Sequence, residues 1–179
     1  MANEEDLRTV LNIINKTIQP SPDPEEQKQV QILLNQIIEN PTSFPIFYAI
    51  ITSNSYSDSI ELYAFSGLKS WLSVHWQNLS DDDKLAIITQ NLLPLIFTPK
   101  KYGSHLRNIF FPFIKDPVFS ELWGNIIEQC PAILSQKDLS VDVILAVLEN
   151  LIKISKLVTR YYHDRDRKRI ILYFFGENL

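Results

Sequence analysis

From about residue 24 to residue 162 the chain alternates helix-forming segments with short polar breaks, in pairs, at a spacing of roughly forty residues. This period constrains the fold more than composition does. One helix pair of that length cannot enclose its own apolar face. Each pair must therefore stack on the next and bury a continuous seam.

The breaks mark the segments. Residues 4–18 place Leu7, Val10, Leu11, Ile14 and Ile18 on one helical stripe, which stops before Pro20, Pro22 and Pro24. Asp23 reads as an N-cap, with Pro24 at the first helical position and Glu26 closing an Asp-x-x-Glu capping box. The second helix runs to about residue 39 with Val30, Leu33, Leu34, Ile37 and Ile38 inward. Asn40-Pro41 ends it, because proline disfavours helical geometry in the residue before it. A third helix over 42–53 offers Phe44, Phe47, Tyr48 and Ile51, and a fourth over 58–77 offers Ala64, Leu68, Trp71, Leu72 and His75. Ser80 with Asp83 supplies a second capping box. The fifth helix then runs through Leu85, Ile88, Leu92, Leu95 and Ile96 to about residue 97, with a bend expected near Pro94.

The sixth helix, 104–115, carries Leu106, Ile109, Phe110 and Phe113. Asp116-Pro117 opens a seventh with Leu122, Trp123, Ile126, Ile127 and Cys130. Ser140 caps the eighth, whose stripe is Ile144, Val147, Leu148, Leu151, Ile154, Val158 and Tyr161. A ninth, 164–176, is apolar at Ile170, Ile171 and Phe174. No alternating strand pattern occurs, so the class is all-α. The expected architecture is a HEAT-repeat α-solenoid, an armadillo-like superhelix of about four helix pairs plus the first helix of a fifth, forming a single array over 1–179. The ninth helix and the Tyr173-Phe174-Phe175 cluster would end it without the polar face that caps a solenoid. A fragment of a longer array is therefore expected.

Composition narrows function by exclusion. With 45% apolar and 21% charged residues the chain can build a core, while its net charge of -4 argues against general nucleic-acid affinity. No run of ~18 apolar residues exists to span a membrane. The acidic start MANEEDLRTV is unlike a signal peptide, and the single Cys130 cannot form an internal disulfide. A cytoplasmic or nuclear location is expected.

Catalytic chemistry is hard to assemble. His75, His105 and His163 never stand at metal-ligand spacing, and His75 among Trp71, Leu72 and Trp76 reads as a packed side chain. Cys130 precedes Pro131 with no histidine positioned to activate it. The glycines at 67, 103, 124 and 176 are too scattered for a phosphate-binding loop. Asp81, Asp82 and Asp83 suit a helix start, where the dipole favours negative charge, better than a cation site. The run from His163 to Arg169, with its interleaved aspartates, reads as a solvated helix start. Trp71, Trp76 and Trp123 fit an inter-helix core better than a stacking surface. The expectation is a protein that is not an enzyme and has no cofactor or metal.

Four blocks then resemble a family. DLRTVLNIINKTIQPSPDPEEQKQVQILLNQIIENPTSFPIFYAIITS is similar to the start of importin-β-type karyopherins. AFSGLKSWLSVHWQNLSDDDKLAIITQNLL, IKDPVFSELWGNIIEQCPAIL and VILAVLENLIKISKLVTRYYHDRDRKR resemble that family's next segments in the same order. The likeness is nearest to the large-importin and importin-α-exportin branch. Residues 24–97 correspond to the core of the importin N-terminal motif. Gln27, Val30-Gln31 and Lys69-Ser70 depart from the family's Arg, Ala-Glu and Lys-Asn, and Val118-Phe119-Ser120 replaces Asp-Phe-Pro.

The resemblance implies a nuclear transport receptor segment that binds the GTP form of the small GTPase Ran on a concave face. It also implies protein cargo and nucleoporin FG repeats as partners of the full receptor, in nucleus, cytoplasm and nuclear pore. The second helix of each early pair would supply the face. Its candidate contacts are the polar positions off the apolar stripes: Gln27, Gln31, Asn35, Lys69, Arg107, Asn108 and Lys153. The rival expectation is a HEAT adaptor that scaffolds a complex and ignores the nucleotide.

Overall fold

The structure is a computed structural model that describes residues 4–53, 55–97, 102–110, 116, 118–119 and 140–161. Those residues are helical or in short connections, with no strand among them. They fall into two compact units, Met1–Ser80 and Asp81–Leu179.

The first unit holds α1 (Glu4–Ile18), α2 (Pro24–Glu39), α3 (Phe44–Thr52) and α4 (Asp58–His75). Helix α1 packs on α2, α3 on α4, and α4 also rests against α1 and α2. The core is part of the set the apolar spacing predicts, with additions, while Leu7, Leu11, Ile18, Leu33, Leu34, Ile37, Ile38, Tyr48 and His75 are only half-buried. Val10, Ile14, Val30, Phe44, Phe47, Ile51, Ala64, Leu68, Trp71 and Leu72 are buried, joined by Ile13, Ile46, Ile50, Phe65 and Trp76. Each large side chain withdrawn from water contributes about 1.5–3 kcal/mol, so this seam holds the four helices together.

Two polar details fix α2. At its start the Asp23 carboxylate accepts from the Glu25 N–H at 3.0 Å, the expected cap. The capping box does not close: the Asp23 N–H donates to Ser21 Oγ at 3.2 Å, and Glu26 turns to Lys16 at 3.3 Å. Ser21 supplies locally the acceptor that Glu26 was expected to provide. At the other end, two side chains of α4 reach carbonyls at the close of α2, and the Asn40 carbonyl also accepts from the Ser43 N–H of the next turn at 3.1 Å. Trp71 Nε1 donates to the Asn40 carbonyl and His75 Nε2 to the Ile38 carbonyl, both at 3.0 Å. A carbonyl oxygen only accepts, so the His75 proton sits on Nε2. The Asn40 side chain in turn accepts from the Thr42 N–H at 3.0 Å and starts the 3-10 turn Pro41–Ser43.

The second unit opens with α5 (Asp81–Ala86), which widens into a π stretch over Ile87–Leu92 and closes as α6 (Leu93–Ile96). The disturbance expected near Pro94 takes the form of a π-helical segment just upstream. Proline has no N–H to give Gln90 and its ring would crowd that carbonyl, and the wider turn relieves both. Helix α7 (Gly103–Phe110) packs on α6 and, more extensively, on α8 (Val141–Tyr161). Ile88, Leu92, Leu95, Ile96, Leu106, Ile109, Phe110, Val147, Leu151, Ile154 and Val158 form its core. Ser140 caps α8, its Oγ accepting from the Val143 N–H at 3.4 Å.

Of the residues expected in that core, Ile144 is half-buried and two are exposed. Leu85 is 42% exposed and Leu148 38% exposed, each on the rim of its helix's apolar stripe. The predicted seventh and ninth helices lie outside the described residues, apart from Val118 and Phe119 of the seventh.

Candidate functional site

The candidate contacts on α2 form one line. Gln27, Gln31 and Asn35 follow each other at one-turn spacing, and all three are exposed. Gln31 Nε2 donates to Asn35 Oδ1 at 3.0 Å, and Gln27 Nε2 donates to the Ser21 carbonyl at 2.6 Å. The hydrogen bonds hold these amides in set orientations on the helix surface. The remaining donor and acceptor capacity of Gln31 and Asn35 faces outward.

Where α1 hands over to α2, a cleft of about 220 Å³ is lined by Lys16, Ser21, Glu26, Gln27, Val30 and Gln31. Hydrogen bonding from Ser21, then the hydrogen bond and charge of Lys16, hold the Glu26 carboxyl below its usual range. The sign follows: the arrangement is complete above the ordinary carboxylate pKa and is lost as pH falls through the lowered one. The family likeness singled out Gln27 and Gln31 but passed over Lys16 and Glu26. Those two are ten residues apart in sequence, on different helices, and only the turn at 19–23 brings them together.

The other candidates are placed as follows. Lys69 stands exposed on α4, within the same unit as the α2 line. Arg107 and Asn108 are exposed on α7, and Lys153 is half-buried on α8, in the second unit. Lys69, Arg107 and Lys153 form no ion pair among the described residues. The three α2 amides therefore share one line on the helix surface, with Gln31 and Asn35 bonded to each other, and the remaining candidates are separate polar positions on α4, α7 and α8.

The second unit contains one pair that the sequence reading missed. Lys84 Nζ lies 3.1 Å from Asp116 Oδ2 and 3.6 Å from Asp81 Oδ1, with the Lys84 and Asp116 side chains only 11% and 8% exposed. The other Asp116 oxygen accepts from the Val118 N–H at 3.0 Å, the N-cap expected at Asp116-Pro117. The hydrogen bond that Lys84 donates to Asp116, with the charges of Asp116 and Asp81, raises the Lys84 pKa against the opposing effect of burial. This pair ties α5 to the start of the seventh segment, so its role is architectural.

Among the described residues no three His, Cys, Asp or Glu side chains converge as metal ligands. No described helix is long and apolar enough to cross a membrane. Trp71 and Trp76 are core residues, 3% and 1% exposed, and His75 packs against Trp71 with ring centroids 4.6 Å apart and the rings tilted by 33°. Trp123, Cys130 and the 163–169 charge run lie outside the described residues. Comparison with known proteins gives no match to any family model, curated protein or solved structure.

Proposed function

We propose that this chain is the N-terminal HEAT array of an importin-β-type transport receptor, binding Ran-GTP through the polar positions of its second helices. The observation that carries the reading is the order of four family-like sequence blocks along nearly the whole chain. The packing is compatible with it. In the first unit α2 and α4, the second helices of successive pairs, lie against each other; in the second unit α7 and α8 do the same. A stacked array brings its second helices side by side in this way, and their polar positions then share a face.

On that face the chemistry would be hydrogen bonding and charge pairing with the parts of the GTPase that rearrange on nucleotide exchange. Such contacts discriminate the GTP form because they are made in one conformation and lost in the other. Reaction chemistry is not required of any residue. The role is recognition, with protein cargo and FG repeats as further partners of a receptor of this kind.

The test is capture of Ran loaded with GTP or GDP on the immobilised 179-residue chain. At least tenfold preference for the GTP form is expected. Equal capture of both forms would sink the receptor reading and favour the nucleotide-blind adaptor.

A further inference from the structure

The cleft between α1 and α2, about 220 Å³, is smaller than the roughly 300–1,000 Å³ of a small-molecule site and suits one long side chain. Val30, only 9% exposed, and Pro20 give it an apolar wall. Its charged lining is Lys16 and Glu26, paired at 3.3 Å with their side chains 48% and 46% exposed. A pair so open to water contributes little, so the Lys16 ammonium can be exchanged for another cation at small cost.

The hydrogen bonds around the cleft decide the sign of its guest. Gln27 Nε2 donates to the Ser21 carbonyl, Gln31 Nε2 to Asn35 Oδ1, and the Thr17 hydroxyl to the Ile13 carbonyl at 2.9 Å. The Ser21 hydroxyl is engaged by the Glu26 carboxylate. Donors are thus largely spent inside the chain. Among the described residues no group donates to the amide oxygens of Gln27 or Gln31. With the Glu26 carboxylate they leave the cleft rich in acceptors. Helix α1 also ends here, and the last turn of a helix favours a positive charge. The opposite sign at the start of α2 is offset by the Asp23 cap and by Glu25 and Glu26 in its first turn.

We propose that this cleft binds an arginine side chain of a protein partner, whose guanidinium takes the place of Lys16 on Glu26. The planar fork of arginine can give two parallel N–H bonds to a carboxylate and still offer donors to neighbouring amide oxygens, which a lysine ammonium matches less well. Its methylene stem would lie along Val30 and Pro20. The net charge of -4 draws a cationic segment towards the chain. The cleft needs only α1 and α2, so it would serve whether or not the partner is Ran.

The probe is the blocked tripeptide acetyl-Gly-Arg-Gly-amide, titrated into the isotope-labelled full chain with the side-chain amide signals of Gln27 and Gln31 as readout. Saturable shifts are expected, with the lysine analogue bound about threefold more weakly and the norleucine and aspartate analogues leaving both signals in place. Glu26→Gln should weaken binding of the arginine peptide about tenfold, the loss of one charge-assisted hydrogen bond. Lys16→Met empties the carboxylate of its resident cation and should tighten binding about twofold. Both positions are exposed, so either variant keeps the fold. No saturation with the arginine peptide would overturn the proposal, as would an equal response to any of the other three peptides. Unaltered binding by Glu26→Gln, or unaltered or weaker binding by Lys16→Met, would overturn it as well.

Discussion

At the scale of single residues, the most consequential contact is that of Lys84, since it closes charge inside the second unit. Replacing it with methionine keeps the apolar stem and removes the ammonium, leaving the nearly buried Asp116 carboxylate without that cation. Taking one partner from such a pair costs more than the pair contributes net, because the remaining charge stays desolvated. Lys84→Met is therefore expected to destabilise the chain by about 1–2 kcal/mol in urea unfolding at neutral pH. The pH dependence has a definite sign. The Lys84 pKa is raised on folding, so its contribution is complete below the ordinary lysine pKa of about 10.4 and disappears as pH climbs through the higher folded value. The difference between wild type and variant should stay constant from pH 7 to about pH 9 and shrink only in stronger alkali. A difference that already vanished at pH 8 would show that the ammonium is not what holds Asp116.

At the scale of helices, the seam between α3 and α4 depends on Gly67. A β-carbon there would come within 2.3 Å of the Phe47 ring, and Phe47 is fully buried, so the ring has no room to retreat. Alanine would gain up to about 1 kcal/mol of helix propensity but must push the two helices apart. Gly67→Ala is expected to destabilise by about 1–3 kcal/mol net, read as a lower midpoint in thermal or urea unfolding. A stabilised variant would show that the seam gives way. The existence and limits of these helices were legible in the sequence because proline, aspartate and serine act locally: Asp23, Asp116 and Ser140 cap where their spacing says, and Asn40-Pro41 ends α2. What spacing misses is which neighbour arrives. Glu26 leaves the capping box because Lys16 and Ser21 are within reach, a fact of the turn and not of the helix. Leu148 follows the apolar period of α8 yet is 38% exposed, because periodicity gives the direction of an apolar stripe but not how far its neighbours cover the rim. The widened turn at Ile87–Leu92 was readable from Pro94 as a disturbance, though not as a π stretch.

At the scale of the whole molecule, the receptor reading depends on which polar positions would meet a partner. Exposure alone gives little guidance, since most of a solenoid's polar surface is exposed for solubility. Charge gives more. The chain carries a net charge of -4, so a lysine or arginine left without an ion pair stands out against the overall sign of its field. Lys69 and Arg107 are exposed and form no ion pair among the described residues, whereas Lys16 and Lys84 are already engaged by Glu26 and Asp116. If the receptor reading holds, charge reversal at both positions, Lys69→Glu with Arg107→Glu, should weaken capture of Ran-GTP at least tenfold while leaving unfolding midpoints nearly unchanged, since neither side chain is buried. The loss should appear mostly as slower association and should fade as salt is raised, because exposed charges act over about 10 Å at 0.1 M ionic strength. Undiminished capture by the double variant would remove both residues from the interface. Recognition would then rest on the neutral line of Gln27, Gln31 and Asn35, where Gln31→Ala should slow capture little but hasten release, the mark of a short-range hydrogen bond.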